Sequence, residues 1–266
     1  MLRTRVGSAV HDTAVDEHGD RDELGVCLEP AQSPSGPVRV LTPGGREIPF
    51  EQYELHTAWA RSRGLAERSR PGDLDLVVYS ARKWARLALD GNPEVLLPLW
   101  VPEEHLVRVT AAGRELRENA HRFTGRAVVR GYLRHLRAQR AGLGGRRNRR
   151  AARGPSAGFD VKAAVHACRA GVQGLELLRT GRITLPVPQP DLAALRSIRS
   201  GLWPLRDVQA WFTDLEADLA DALSPGGQAR HLPERADRTW MQEWLIRSEE
   251  EFWLASSDVV PCTPRG

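Results

Sequence analysis

The 266-residue chain changes its apolar period once, near residues 110–113, and that change limits the folds open to it. Ahead of it the apolar residues come in short runs cut by glycine and proline: Gly25-Val-Cys-Leu28 before Glu29-Pro30, Val38-Arg-Val-Leu41 before Thr42-Pro-Gly-Gly45, and Leu74-Asp-Leu-Val-Val-Tyr79. Runs of this length between turn formers read as strands and a hairpin. Ser80 is placed to cap a helix through Lys83, Trp84, Leu87 and Leu89, which Gly91-Asn92-Pro93 ends. Behind the change, apolar residues recur at helical spacing over 114–139, 160–178, 189–200, 205–223 and 238–254. The aromatic positions Trp203, Trp211, Phe212, Trp240, Trp244 and Trp253 read as packing between helices. The pattern predicts a small domain of strands and helix over 1–112 and a helical domain over 113–266.

Charge divides along the same line. Residues 114–153 hold 13 arginines and two acids, a charge of +11, so the rest of this +4 chain carries −7. A mildly acidic body with one strongly basic stretch favours a polyanion partner over general stickiness. Arg126, Arg130, Arg134, Arg137 and Arg140 recur at spacings of four and three, which on a helix forms one stripe, and Arg146-Arg-Asn-Arg-Arg150 follows a glycine-rich link. The stripe reads either as a solvated helix face or as a phosphate-binding surface. Only Lys83 and Lys162 break an otherwise all-arginine set of 38 cations.

Three cysteines, Cys27, Cys168 and Cys262, are too few and too widely spaced for a disulfide framework, and no CxxC pair is present. The first residues lack the apolar run of a signal peptide, and no window of about 18 apolar residues occurs. These features predict a cytoplasmic chain with no membrane partner; they do not address oligomeric state.

The chemistry is concentrated near the N-terminus. A short strand, Leu2 to Val6, runs into Gly7-Ser8, where glycine permits a tight turn and serine can cap a following helix, leaving backbone N–H groups free for an anion. Asp20 and Asp22 then sit two apart in an extended segment, so both carboxylates project from one face. Two such carboxylates beside a phosphate cradle suit Mg²⁺, which takes one or two carboxylates and completes its shell with phosphates and water. A surface loop with solvated acids has the same residues.

In order, Gly7-Ser8 and Asp20-x-Asp22-x-x-Gly25-Val26 resemble the active-site signature of the DNA polymerase β-like nucleotidyltransferases, in particular a group of predicted enzymes from bacteria and actinobacterial phages. Three later blocks extend the resemblance to roughly residues 5–202: Tyr79-Ser-Ala-Arg-Lys-Trp-Ala-Arg-Leu-Ala-Leu with Gly91-Asn-Pro93; Gly158-Phe-Asp-Val-Lys-Ala-Ala-Val-His166 through Arg169 and Gln173; and Gly181-Arg-Ile-Thr-Leu-Pro186. The resemblance implies an α+β fold, a small mixed-sheet nucleotidyltransferase core followed by a helical domain. It implies transfer of a nucleoside monophosphate from an NTP to a hydroxyl acceptor, with Mg²⁺ or Mn²⁺ as cofactor and an RNA end as the expected acceptor; small molecules and proteins are other acceptors of the same class.

In that scheme Gly7 and Ser8 hold phosphates, Asp20 and Asp22 bind metal, and a third carboxylate on a later strand completes the metal site and assists deprotonation. Asp75 is chosen because it opens the apolar run Leu76-Val-Val-Tyr79, with Asp73 as the fallback on the same face. Lys162, His166, Arg169 and Gln173 form one helical stripe, of which the first three are assigned to nucleotide binding, and the arginines from Arg126 to Arg140 to nucleic acid. One position departs from the family pattern: Asp12 stands where a glycine usually ends the Gly-Ser loop. A carboxylate facing the triphosphate there would weaken catalysis, which keeps open a second reading, a weakly active or inactive nucleotide- or nucleic-acid-binding module.

Overall fold

A computed structural model of the chain describes residues 1–13, 21–30, 39–41, 46–61, 70, 72–143 and 159–257. Asp20 and the arginine run 146–150 lie outside the described residues. The strands are β1 (Leu2–Arg5), β2 (Arg21–Cys27), β3 (Arg39–Leu41), β4 (Glu47–Pro49), β5 (Gln52–His56), β6 (Leu74–Ser80) and β7 (Leu106–Val109). Five of them form one sheet in the order β5-β6-β2-β1-β7, and β3 pairs with β4 as the expected hairpin. Among the described residues only β2 and β6 run parallel; the other pairs are antiparallel, so the sheet is mixed and the fold is α+β.

The helices are α1 (Thr57–Arg61), α2 (Ala81–Leu89), α3 (Pro93–Leu96), α4 (Ala111–Glu118), α5 (Arg126–Leu143), α6 (Val161–Thr180), α7 (Asp191–Arg199), α8 (Leu205–Leu223) and α9 (Arg238–Ser257). Ser80 caps α2 as expected, its Oγ accepting from Lys83 N at 3.2 Å, and Asp160 caps α6, accepting from Ala163 N at 3.0 Å. The single helix read over 114–139 is in fact two. Asn119 closes α4 by donating from Nδ2 to Glu115 O (2.9 Å), and a 3₁₀ turn over Ala120–Phe123 separates it from α5. The helix expected directly after Ser8 is a run of turns instead, and Asp12 interrupts it with φ 54°.

Two apolar clusters hold these elements. The first surrounds Trp84, whose indole N–H donates to Val95 O at 2.7 Å, and it takes in Leu116, Phe123 and Trp244 from beyond residue 112. The second joins α5, α6, α7 and α8 through Leu136, Leu178, Ile198, Phe212 and Leu219. The aromatic residues of the last helices pack as the sequence reading has it: Phe212 and Trp244 are fully buried, and Trp203 and Trp211 meet at 5.5 Å between ring centroids. Among the described residues, no helix is long and apolar enough to cross a membrane.

Candidate active site

The parallel pairing of β2 and β6 sets Asp22 directly beside Asp75. Registered neighbours on adjacent strands project to the same face, and period-two alternation brings Leu24, Val77 and Tyr79 to that face as well. Together with Gly7, Ser8 and the first half of α6, they line a cavity of about 330 Å³. Into it the fold brings Gly7, Ser8, Asp22, Asp75, Lys162, His166 and Arg169, positions spread over more than 160 residues of sequence. Gln173, next on the helical stripe, is buried outside this lining.

Gly7 is fixed by two constraints. Its φ of +76° disfavours any side chain, and a Cβ there would overlap Asp22 Oδ2. The glycine turn therefore lies flush against a candidate metal ligand. Thr13 N donates to Ser8 O at 3.0 Å and closes the loop. Asp12, the departure from the family pattern, faces away from the cavity: its carboxylate pairs with Arg196 Nη2 at 2.5 Å, and its carbonyl accepts from Arg196 Nε at 2.8 Å.

The two aspartates on the β6 strand and its approach have different surroundings. Asp73 is buried and accepts from Arg61 (2.6 and 3.0 Å), Thr57 Oγ1 (3.1 Å) and Arg70 N (2.6 Å). The Arg61 guanidinium, with the Arg70 amide next, holds its carboxyl well below the usual range. Asp75 opens on the cavity and has His56 Nδ1 at 3.1 Å, presented from β5 in register. The hydrogen bond with Asp75 raises the His56 pKa. Asp73 is thus held by Arg61, Thr57 and Arg70, and of the two it is Asp75 that opens on the cavity.

Two carboxylates side by side, with hydroxyl and backbone groups of the Gly7-Ser8 loop close by, make a hard-oxygen donor set that fits Mg²⁺ or Mn²⁺. Among the described residues no cluster of three or more His, Cys, Asp or Glu is poised for metal; Asp20, the remaining carboxylate of the expected set, lies outside them.

The opposite wall is cationic. Arg169 is 7% exposed and makes no ion pair among the described residues; burial lowers its pKa to about 10, so it stays charged at neutral pH. Burial, followed by the charges of Arg169 and Lys162, brings His166 down to about 3, so it is a neutral imidazole that offers hydrogen bonds and no charge. His11, fully buried behind the loop, is lowered by burial first and then by the charge of Arg169. Arg199, Tyr79 and Glu94 also line the cavity and were not singled out from sequence. The end of helix 189–200 was legible, but its arginines carried no motif to distinguish Arg199 from Arg196.

The arginine stripe is fastened within the chain. Arg137 and Arg140 share Glu216 (2.8 and 2.9 Å), Arg126 and Arg130 share Glu234, and Arg134 donates to Asp90 O at 3.0 Å. None of the five lines the cavity. Lys83 likewise sits elsewhere, donating to Gln52 Oε1 at 2.6 Å and lying over the Tyr79 ring.

Over residues 1–205 the chain matches the RNA repair pathway DNA polymerase beta family. The chain belongs to that family. It is a polymerase β-like nucleotidyltransferase, as the sequence motifs implied. A curated relative, an uncharacterized 38.9 kDa protein of Enterobacteria phage T4 encoded in the nrdC-mobD intergenic region, is 30% identical over 90 residues. That match covers 34% of this chain and 26% of the phage protein. A solved nucleotidyltransferase-like protein from Exiguobacterium sibiricum aligns over 96% of this chain and 68% of its own, at 12% identity and a TM-score of 0.27, a likeness too slight to carry an argument.

Proposed function

We propose that this nucleotidyltransferase moves a nucleoside monophosphate from an NTP to a hydroxyl at an RNA end, in an RNA repair setting. The observation that carries the reading is the polarity of one cavity, with Asp22 and Asp75 on the sheet wall and Lys162, His166 and Arg169 on the helix wall. A triphosphate with its bound cation has the complementary distribution of charge.

On this reading the backbone of Gly7 and the hydroxyl of Ser8 bind the β and γ phosphates, and Lys162 and Arg169 balance their charge. Neutral His166 donates or accepts a hydrogen bond at phosphate or sugar. Asp22 and Asp75, with Asp20, hold Mg²⁺ or Mn²⁺, which when bound supplies charge neutralisation at the attacking and leaving oxygens. The acceptor hydroxyl oxygen bonds to the α phosphorus, the bond from that phosphorus to the bridging oxygen breaks, and pyrophosphate leaves with its electron pair. Asp75, steadied by His56, takes the hydroxyl proton. Most of the rate enhancement is then positioning and preorganised charge. The arginines from Arg126 to Arg140 outnumber the two carboxylates they share, and their excess charge draws an RNA strand toward the molecule.

The test incubates each α-labelled NTP with Mg²⁺ or Mn²⁺ and three acceptors: a mixed RNA pool, small polyols and a protein pool. Label on RNA, lost in Asp22→Asn/Asp75→Asn, is the expected result. Label on another acceptor would replace the RNA assignment, and no transfer with retained nucleotide binding would favour the inactive binding module.

A further inference from the structure

Lys162, His166 and Arg169 account for the nucleotide in the reading above; Arg199 is left over. It occupies the last turn of α7, lines the same cavity, and has no ion-pair or hydrogen-bond partner among the described residues. Arg196, one turn earlier on the same side of the helix, is committed to Asp12 through both its carboxylate and its carbonyl. Asp12 belongs to the loop that starts at Gly7-Ser8. The ion pair therefore ties the end of α7 to the loop, and the next arginine along that face enters the cavity.

The result is costly unless something else is bound. Lys162, Arg169 and Arg199 bring three positive charges to one wall, none of them in an ion pair among the described residues; Glu94 of the same lining attracts Arg169, and burial first, then these cations, depresses the imidazole of His166. Arg169 is also buried, so a charge that Glu94 balances only through space is the more expensive to hold. Like charges gathered in this way are stabilised by an anion of several charges, and guanidinium forks match phosphate oxygens. A monophosphate carries too little charge to balance all three.

We propose that Arg199 is a clamp for the terminal phosphates of the NTP and for the departing pyrophosphate, with Asp12 and Arg196 as positioning residues that aim it. The inference rests on the transferase reading and adds a selectivity to it: the site takes triphosphates and binds monophosphates poorly. It also gives Asp12 a purpose. The residue that departs from the family pattern holds the clamp in place.

The test is calorimetric titration of the full chain with tripolyphosphate, pyrophosphate and AMP in EDTA, free of metal and of turnover. Arg199→Ala should weaken tripolyphosphate and pyrophosphate about tenfold, as expected for one charged hydrogen-bonding group, and leave AMP unchanged; Arg199→Lys should recover part of the loss. Asp12→Ala should cost two- to threefold, roughly, and add nothing on top of Arg199→Ala, since the two act through one group. Circular dichroism and melting temperature check that each variant folds. Wild-type affinity for tripolyphosphate in Arg199→Ala, or an equal loss for tripolyphosphate and AMP, would overturn the clamp. Binding that depends on Arg199 in a protein that transfers no label would keep the clamp and refute the transferase, while label transfer undiminished in Arg199→Ala would do the reverse.

Discussion

At the scale of single residues, the cavity is legible from sequence wherever a role demands an unusual residue. Gly7 was readable because only glycine suits both the turn and the contact with Asp22. Replacing it with alanine should cost about 1–3 kcal/mol of stability, the size of a forced positive φ, and should displace the Asp22 carboxylate; a urea melt and a transfer assay both report it. Asp22→Asn and Asp75→Asn should each lower transfer by about a hundredfold or more, the factor implied by losing several kcal/mol of charge stabilisation, with melting temperature little changed. Asp73 against Asp75 was not decidable from alternation, since both positions share a parity. The Arg61 contact that occupies Asp73 and favours Asp75 spans twelve residues with no local signal. His11 and His166 are neutral in the folded chain, whereas an unfolded histidine titrates near pH 6.5. The folded state thus binds fewer protons below that pH, and stability present above about 6.5 is lost as pH falls toward the folded value of about 3. Each histidine contributes a slope of up to about 1.4 kcal/mol per pH unit. Urea unfolding of His166→Gln between pH 7.5 and 4.5 should fall less steeply than wild type; parallel curves would contradict this.

Among elements, those with a strong apolar period were readable and the edges were not. α8 lies where the 205–223 pattern puts it, and the central strands β2 and β6 carry the apolar runs. β5 escaped notice because Gln52-Tyr-Glu-Leu-His56 is a polar edge strand whose partner supplies its order. The break between α4 and α5 was hidden because no proline marks it and its closing residue, Asn119, acts through a hydrogen bond that spacing does not show. The last helix also returns to the first core: Arg82 donates to both oxygens of Glu249, at 2.8 and 2.7 Å. Glu249 is buried but Arg82 is half exposed, so the pair is screened; Glu249→Gln should cost about 1–2 kcal/mol. Its denaturant midpoint should fall with an unchanged slope, as for loss of a tie within one cooperative unit. Two separate transitions would instead mean that α9 unfolds independently.

For the molecule as a whole, the charge asymmetry of the sequence survives folding in altered form. The arginine stripe is stitched to α8 and to Glu234, so it serves as internal fastening as well as field, a dual use that spacing alone cannot separate. Arg134 is the member bonded only to a carbonyl. If RNA is the acceptor, Arg134→Gln should weaken its binding and reduce the slope of log affinity on log salt by about 0.7, the share of one phosphate contact on a single strand. The polarised cavity is the part on which everything else depends, and parallel reactions with α-labelled and γ-labelled NTP on the same RNA test it most directly. Transfer of the nucleoside monophosphate puts α label on RNA and γ label in pyrophosphate, in equal amounts, both lost in Asp22→Asn/Asp75→Asn. Release of γ label as phosphate, or α label on RNA that persists in the double variant, would contradict it.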